Sequence, residues 1–208
     1  MLKTMLIGMM ILVCASLAAA QSDDYKKFEV YGGYSYQLVG NDLDDDDVIP
    51  DPEGFRGFNT SVTGNLSRYF GLKADFAGHY KSRSIGFGPL ANGIDVDTQR
   101  YTYLGGVQIK NNSSESTFKP FVHALVGAVT VRHSVKINNE LCIAITPTPC
   151  PADFTEKETG FAVAFGGGID IRASDRIDFR LFQIDYIPTR LFDGRQHSLR
   201  LGIGIVFH

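Results

Sequence analysis

The 208-residue sequence predicts an all-β fold, an eight-stranded antiparallel up-and-down transmembrane β-barrel, and three observations carry that expectation. From Phe28 onward the chain falls into short segments with period-2 alternation, the spacing of strands whose two faces meet different surroundings. The connections between these segments alternate between long and short. Wherever the two faces can be told apart, one carries charged, amide and hydroxyl side chains and the other carries aromatics and aliphatics.

Strands are expected near 27–37, 57–68, 72–81, 98–110, 118–133, 159–172, 177–187 and 198–208. Long stretches at 38–56, 82–97, 134–158 and 188–197 alternate with turns at 69–71, 111–117 and 173–176. Membrane-spanning barrels have this asymmetry, with short turns on one rim and long loops on the other.

The choice between a soluble and a membrane barrel turns on which face can be dry. The second strand sets Asn59, Ser61, Thr63, Asn65 and Ser67 against Phe58, Val62 and Leu66. The third sets Lys73, Asp75 and His79 against Leu72, Ala74, Phe76 and Tyr80, and the fourth Arg100, Thr102 and Gln108 against Tyr101, Tyr103, Val107 and Ile109. The sixth sets Asp170 and Arg172 against Phe161, Val163, Phe165, Ile169 and Ile171. Ionic residues spread over several strands make a poor dry core but suit a hydrated or ion-paired lumen, which leaves the apolar face to lipid. The fifth strand, from Val122 to Arg132, is too uniformly apolar for its faces to be assigned. In the seventh the alternation changes phase near Phe182 and Gln183, where a bulge is expected.

Lys3 precedes an apolar run from Met5 to Leu17 that closes on Ala18, Ala19 and Ala20, the layout of a signal peptide cleaved after Ala20. The expected division is therefore a signal peptide at 1–20 and a barrel domain at 21–208. Removing Lys3 leaves 19 basic and 23 acidic residues, a formal charge of −4 that disfavours nucleic acid as a partner. Cys142 and Cys150, delivered to an oxidising compartment, are expected to form a local disulfide; a metal site would need more ligands than the neighbourhood offers.

The last segment runs Ser198-Leu199-Arg200-Leu201-Gly202-Ile203-Gly204-Ile205-Val206-Phe207-His208, alternating to the chain end with an aromatic in penultimate position. It resembles the final strand of outer-membrane β-barrel proteins, whose C-terminal aromatic is read by the barrel assembly machinery, although the terminal His208 departs from that pattern. Together with Tyr31-Gly32-Gly33-Tyr34-Ser35-Tyr36, this makes the mature chain similar in pattern to the OmpA-type and OmpX-type eight-stranded barrels. The resemblance implies a place in the bacterial outer membrane, contact with its lipid and lipopolysaccharide, and handling by the assembly machinery. It further implies a monomer whose loops meet an extracellular ligand. Such barrels serve many functions, so the resemblance speaks for location more than for activity.

Two features bear on chemistry. The stretch from Asp42 to Glu53 places Asp42, Asp44, Asp46 and Glu53 at positions one, three, five and twelve of a Ca²⁺-loop pattern. Asp47 stands where that loop needs glycine, and Pro50 and Pro52 interrupt it, so a solvated acidic loop competes with a loose Ca²⁺ or Mg²⁺ site; no other cofactor is expected. The second feature is a polar network expected in the lumen, comprising Glu29, Lys73, Asp75, His79, Arg100, Asp170, Arg180 and Arg200. Both signs are present, and pairing across a narrow eight-stranded interior would plug it.

No catalytic residues are expected. A lipid A-modifying enzyme needs a hydroxyl nucleophile beside a base, and His133-Ser134 and His197-Ser198 put adjacent side chains on opposite faces of a strand. A structural or surface-interaction barrel is the leading expectation, with a narrow solute channel second and the lipid enzyme third.

Overall fold

The alternation is expressed as eight strands: β1 (Phe28–Asn41), β2 (Glu53–Asn65), β3 (Phe70–Phe87), β4 (Leu90–Lys110), β5 (Phe118–Ile137), β6 (Asp153–Arg172), β7 (Ile177–Leu191) and β8 (Gly194–Phe207). They belong to a computed structural model that describes residues 25–41, 53–87, 90–113, 115–137, 153–191 and 194–208. Each strand pairs antiparallel with its sequence neighbours, and β1 closes the barrel on β8, with Tyr34 opposite both Phe58 and Ile203. Closure leaves no sheet edge, the condition for crossing lipid with strands. The expected signal peptide at 1–20 lies outside the described residues.

At the inner rim, where both termini lie, the strand ends fall within three residues of the sequence expectation. At the outer rim every strand runs four to eight residues further than the alternation predicted. The stretch 82–97, expected as a loop, is largely a hairpin in which Phe87 pairs with Leu90. Ser, Gly, Pro, Asn and Asp make up more than half of it, which reads as loop, yet the Ser82 and Ser84 hydroxyls donate to Asp97 and Asp95 across the hairpin, each at 2.6 Å. The inner turn expected at 69–71 falls slightly earlier, with Phe70 already opening β3.

Outward faces are apolar through the middle of the barrel: Leu72, Val122, Phe165, Ile184 and Ile203 are all exposed. Aromatic residues stand at both margins of this band, with others such as Tyr34, Phe58 and Phe182 within it. Tyr80, Tyr101, Tyr103 and Phe161 stand toward the outer rim, and Tyr69, Phe70, Phe118, Phe179 and Phe207 toward the inner one. Such girdles mark the interfaces of a membrane barrel.

Inward faces hold two different fillings. Polar and ionic residues occupy the inner-rim and middle levels. An apolar cluster of Leu104, Leu125, Val129, Val131, Ala162, Ala164, Ile187 and Leu191 packs against the wall formed by β4 to β7. Strand β5, whose faces the sequence left unassigned, points Lys119, Phe121, His123 and Leu125 inward and Pro120, Val122, Ala124 and Val126 outward. In β7 a bulge lies between Arg180 and Gln183, so that Leu181 and Phe182 both face outward.

Candidate functional site

Alternation delivers Glu29, Lys73, Asp75, His79, Arg100, Asp170, Arg180 and Arg200 to the interior, where each is at most 3% exposed. Lys110, Lys119, Asp178 and Asp185 are buried with them, giving five carboxylates and six Lys or Arg side chains in the described lumen. An uncompensated charge in such surroundings costs several kcal/mol, so the geometry of pairing decides what the interior can do.

The inner-rim half is organised around Asp170. Arg180 donates to it through Nε at 2.7 Å and Nη2 at 3.0 Å, the bidentate geometry that suits a carboxylate. Lys110 Nζ lies 2.8 Å from the same carboxylate and 2.9 Å from Glu29, linking β1, β4, β6 and β7. The Arg180 guanidinium is held between the Tyr31 and Phe121 rings, 4.2 and 4.1 Å from their centroids. Gly168 makes room for this packing, since a Cβ there would come within 2.9 Å of the Phe121 ring.

The middle level is organised around Arg200. It reaches Asp75 on β3 at 2.9 Å and Asp185 on β7 at 2.6 Å, spanning the lumen. Asn59 donates to Asp75 at 3.0 Å and Gln183 to Asp185 at 2.6 Å. His123 Nε2 stands 2.9 Å from Asp185 Oδ1 but off the hydrogen-bond direction, while its Nδ1 faces Lys73 Nζ at 3.3 Å. Gly166 leaves the space for Asp185, whose Oδ1 would lie 2.0 Å from a Cβ at that position. His79 exchanges a hydrogen bond with Ser35 at 2.8 Å.

At the inner opening Asp178 takes Lys119 at 2.9 Å and the ring of the terminal His208 at 2.8 Å. The Asn65 amide donates to the Lys26 carbonyl at 2.7 Å, tying the lead-in to β1 across that end. From the inner opening to the middle, therefore, buried polar and ionic groups crowd the cross-section; among them Lys73 meets His123 and no described carboxylate.

Several network members escaped the sequence reading. Lys110 continues the alternation of Gln108 and was within reach of it. Asp185 was hidden by the bulge, which shifts the phase just before it. Lys119 and His123 lie on the apolar β5.

The remaining candidates stand apart. Glu53 is the first residue of β2 and pairs with Lys81 at 3.1 Å. Asp42, Asp44 and Asp46 lie outside the described residues, as do Cys142 and Cys150. His133 shares a hydrogen bond with Thr98 at 3.1 Å, whereas its neighbour Ser134 faces Thr155 on the outer surface. His197 stacks on Tyr186, whereas its neighbour Ser198 is fully buried. Neither pair brings a hydroxyl and an imidazole together.

The sequence model of one family, the outer membrane protein β-barrel domain, matches residues 7–207. A search among curated proteins gave no match. Among solved structures, the fold is similar to that of Ail, the attachment invasion locus protein of Yersinia pestis, in complex with the heparin analogue sucrose octasulfate. That likeness has a TM-score of 0.55 and 18% identity, and covers 86% of this chain and 97% of Ail. Neisserial surface protein A is similar with a TM-score of 0.54 and 11% identity, over 88% of this chain and 97% of that one. With a closed eight-stranded barrel, an apolar belt between aromatic girdles and a family match along nearly its whole length, the chain belongs to the outer membrane protein β-barrel family and resides in the bacterial outer membrane.

Proposed function

We propose that the protein is a surface-interaction barrel, a rigid scaffold that presents its outer strand ends and loops to an extracellular ligand and does not conduct solutes. The observation that supports this reading is the set of ties across the lumen: the Glu29–Lys110–Asp170–Arg180 chain and the Asp75–Arg200–Asp185 bridge span it at two levels. The outer strand ends add support. β3 to β6 run 18 to 21 residues, against about 9–11 needed to cross the membrane. The surplus projects beyond that span, and recognition tends to sit on such projections from a rigid frame. Ail carries a sulfated ligand on a barrel of the same fold.

Lipopolysaccharide belongs to this reading as a neighbour. Arg132 on β5 stands opposite Lys157 on β6, and Arg190 on β7 opposite Arg195 on β8, all exposed on the face that lower down meets lipid. Like charges directly opposite one another repel, and the phosphates of the outer leaflet would relieve that repulsion.

The test is whole-cell binding to host-cell or matrix surfaces, with the outer ends of β3 to β6 trimmed and heat-modifiability on detergent gels used to verify an intact barrel. The reading expects binding to fall while the boiling-dependent band shift persists. Undiminished binding after trimming would reject it.

A further inference from the structure

Arg100 differs from the other arginines of the lumen. Arg180 and Arg200 meet carboxylates at 2.6 to 2.9 Å, as do Lys110 and Lys119. Arg100, at the midpoint of β4 and 3% exposed, donates only to neutral oxygens: Gln196 Oε1 at 3.1 Å and Thr189 Oγ1 at 3.2 Å. Its Nε–H has no partner among the described residues, and none of their carboxylates forms an ion pair with it. A guanidinium keeps its charge at any physiological pH, so a buried one without a counter-ion is a costly arrangement.

The same residue lines a cavity of about 210 Å³ at the extracellular end of the lumen, beyond the Arg200 bridge. One part of the wall is apolar, formed by Val39, Phe55 and Val131, each at most 7% exposed. The Thr98 hydroxyl, shared with His133, adds a polar edge. Glu53 is the one carboxylate among the described residues of the lining, and its pairing with Lys81 at 3.1 Å offsets its repulsion of an approaching anion.

We infer that this cup binds a small organic carboxylate from outside the cell. The carboxylate accepts from the guanidinium of Arg100 where it lines the cup, and a compact apolar body rests on Val39, Phe55 and Val131. A bare inorganic oxyanion satisfies the charge but leaves the apolar wall without a partner, and a neutral isostere does the reverse. The inference stands independently of any macromolecule bound by the strand ends.

The experiment uses barrel isolated in detergent from outer membranes after expression of the full chain, titrated by calorimetry with benzoate, benzyl alcohol and sodium sulfate. Saturable one-to-one benzoate binding is expected, with the other two weaker by about tenfold or more, as loss of a charge-assisted hydrogen bond or of apolar burial implies. Arg100→Gln should weaken benzoate by at least about tenfold, and Val131→Trp, which fills the cup while keeping the guanidinium, should do the same. Absence of saturable benzoate binding overturns the site. Sulfate binding as tight as benzoate overturns the carboxylate class, and unchanged binding in Arg100→Gln overturns the role of the arginine. If Arg100→Gln fails to yield a heat-modifiable barrel, Val131→Trp decides, with undiminished benzoate binding rejecting the cup.

Discussion

Arg200 on β8 and Asp75 on β3 lie 125 residues apart in sequence and 2.9 Å apart across the lumen, a contact made only once the barrel has closed. β3 and β8 are not hydrogen-bonded neighbours; β1 and β2 separate them around the wall. The pair is therefore a tie across the interior, and Asp185 extends it to β7.

Arg200→Met should lower stability by about 3–5 kcal/mol, because it strands two buried carboxylates, whereas Asp75→Asn should cost about 1–3 kcal/mol, since Arg200 keeps Asp185. The readout is the urea midpoint of the heat-modifiable band in lipid vesicles. Equal midpoints for wild type and Arg200→Met would show that the bridge does not hold the barrel.

The crowded lumen also fixes an expectation for conduction. In planar bilayers the purified barrel should give no discrete conductance steps above the bare membrane, because the Asp170 and Arg200 clusters span the narrow interior. Discrete steps would return the chain to the channel reading.

What the sequence could and could not disclose follows from where each residue sits in the two-fold repeat. Lys73, Asp75 and His79 were legible because each alternates with a lipid-facing neighbour, so that environment and spacing agree. Asp185 was not, since the extra residue before it breaks the period that assigns faces. Lys119 and His123 were not assigned to the network, His123 reading as a lone histidine satisfied by packing or water, because the apolar cluster shares the interior with the ion pairs and β5 is apolar on both sides. The outer strand ends were read as loops for another reason: Ser, Gly, Pro, Asn and Asp are frequent in 82–97, and pairing such as Ser82 with Asp97 leaves no hydrophobic trace. The partnerless Nε–H of Arg100 was beyond reach altogether, because alternation reveals a face and not a partner.

The Arg180 sandwich makes a separable claim about the inner-rim cluster. Phe121→Leu keeps an apolar side chain at the site but removes one of the two rings against the guanidinium. A loss of about 1–2 kcal/mol is expected in the vesicle urea assay, from the desolvated cation–π contact. Tyr31→Leu, on the other side of the cation, should cost a similar amount. A double substitution that costs no more than either single one would indicate that only one ring contributes.

Face assignment is testable by placing charge at two depths on the outer side of the wall. Ile203→Arg puts a guanidinium on the lipid face of β8, 55% exposed in the described structure, and should cost about 2–4 kcal/mol or block insertion. Arg195→Glu, on the same face of the same strand but near the outer loop, should leave insertion intact because charge is tolerated near the interface. Equal tolerance of both would contradict the lipid-facing belt.

The bulge in β7 gives the most discriminating prediction, because side-chain facing depends on it alone. Arg180 pairs with Gly204 and Gln183 with Gly202, so Leu181 and Phe182 together oppose the single residue Ile203. Deleting Leu181 removes the surplus residue and leaves Asp178, Arg180, Gln183 and Asp185 on the lumen side of a regular strand. Deleting Ile184, beyond the bulge, flips Asp185 toward lipid and detaches it from Arg200, since a one-residue slip reverses every following face. The Leu181 deletion should therefore still give a heat-modifiable band in outer membranes, weakened locally where Arg180 meets Gln183 at 2.7 Å. The Ile184 deletion should give no such band, and if both deletions assemble equally well, the bulge does not govern which side chains enter the lumen.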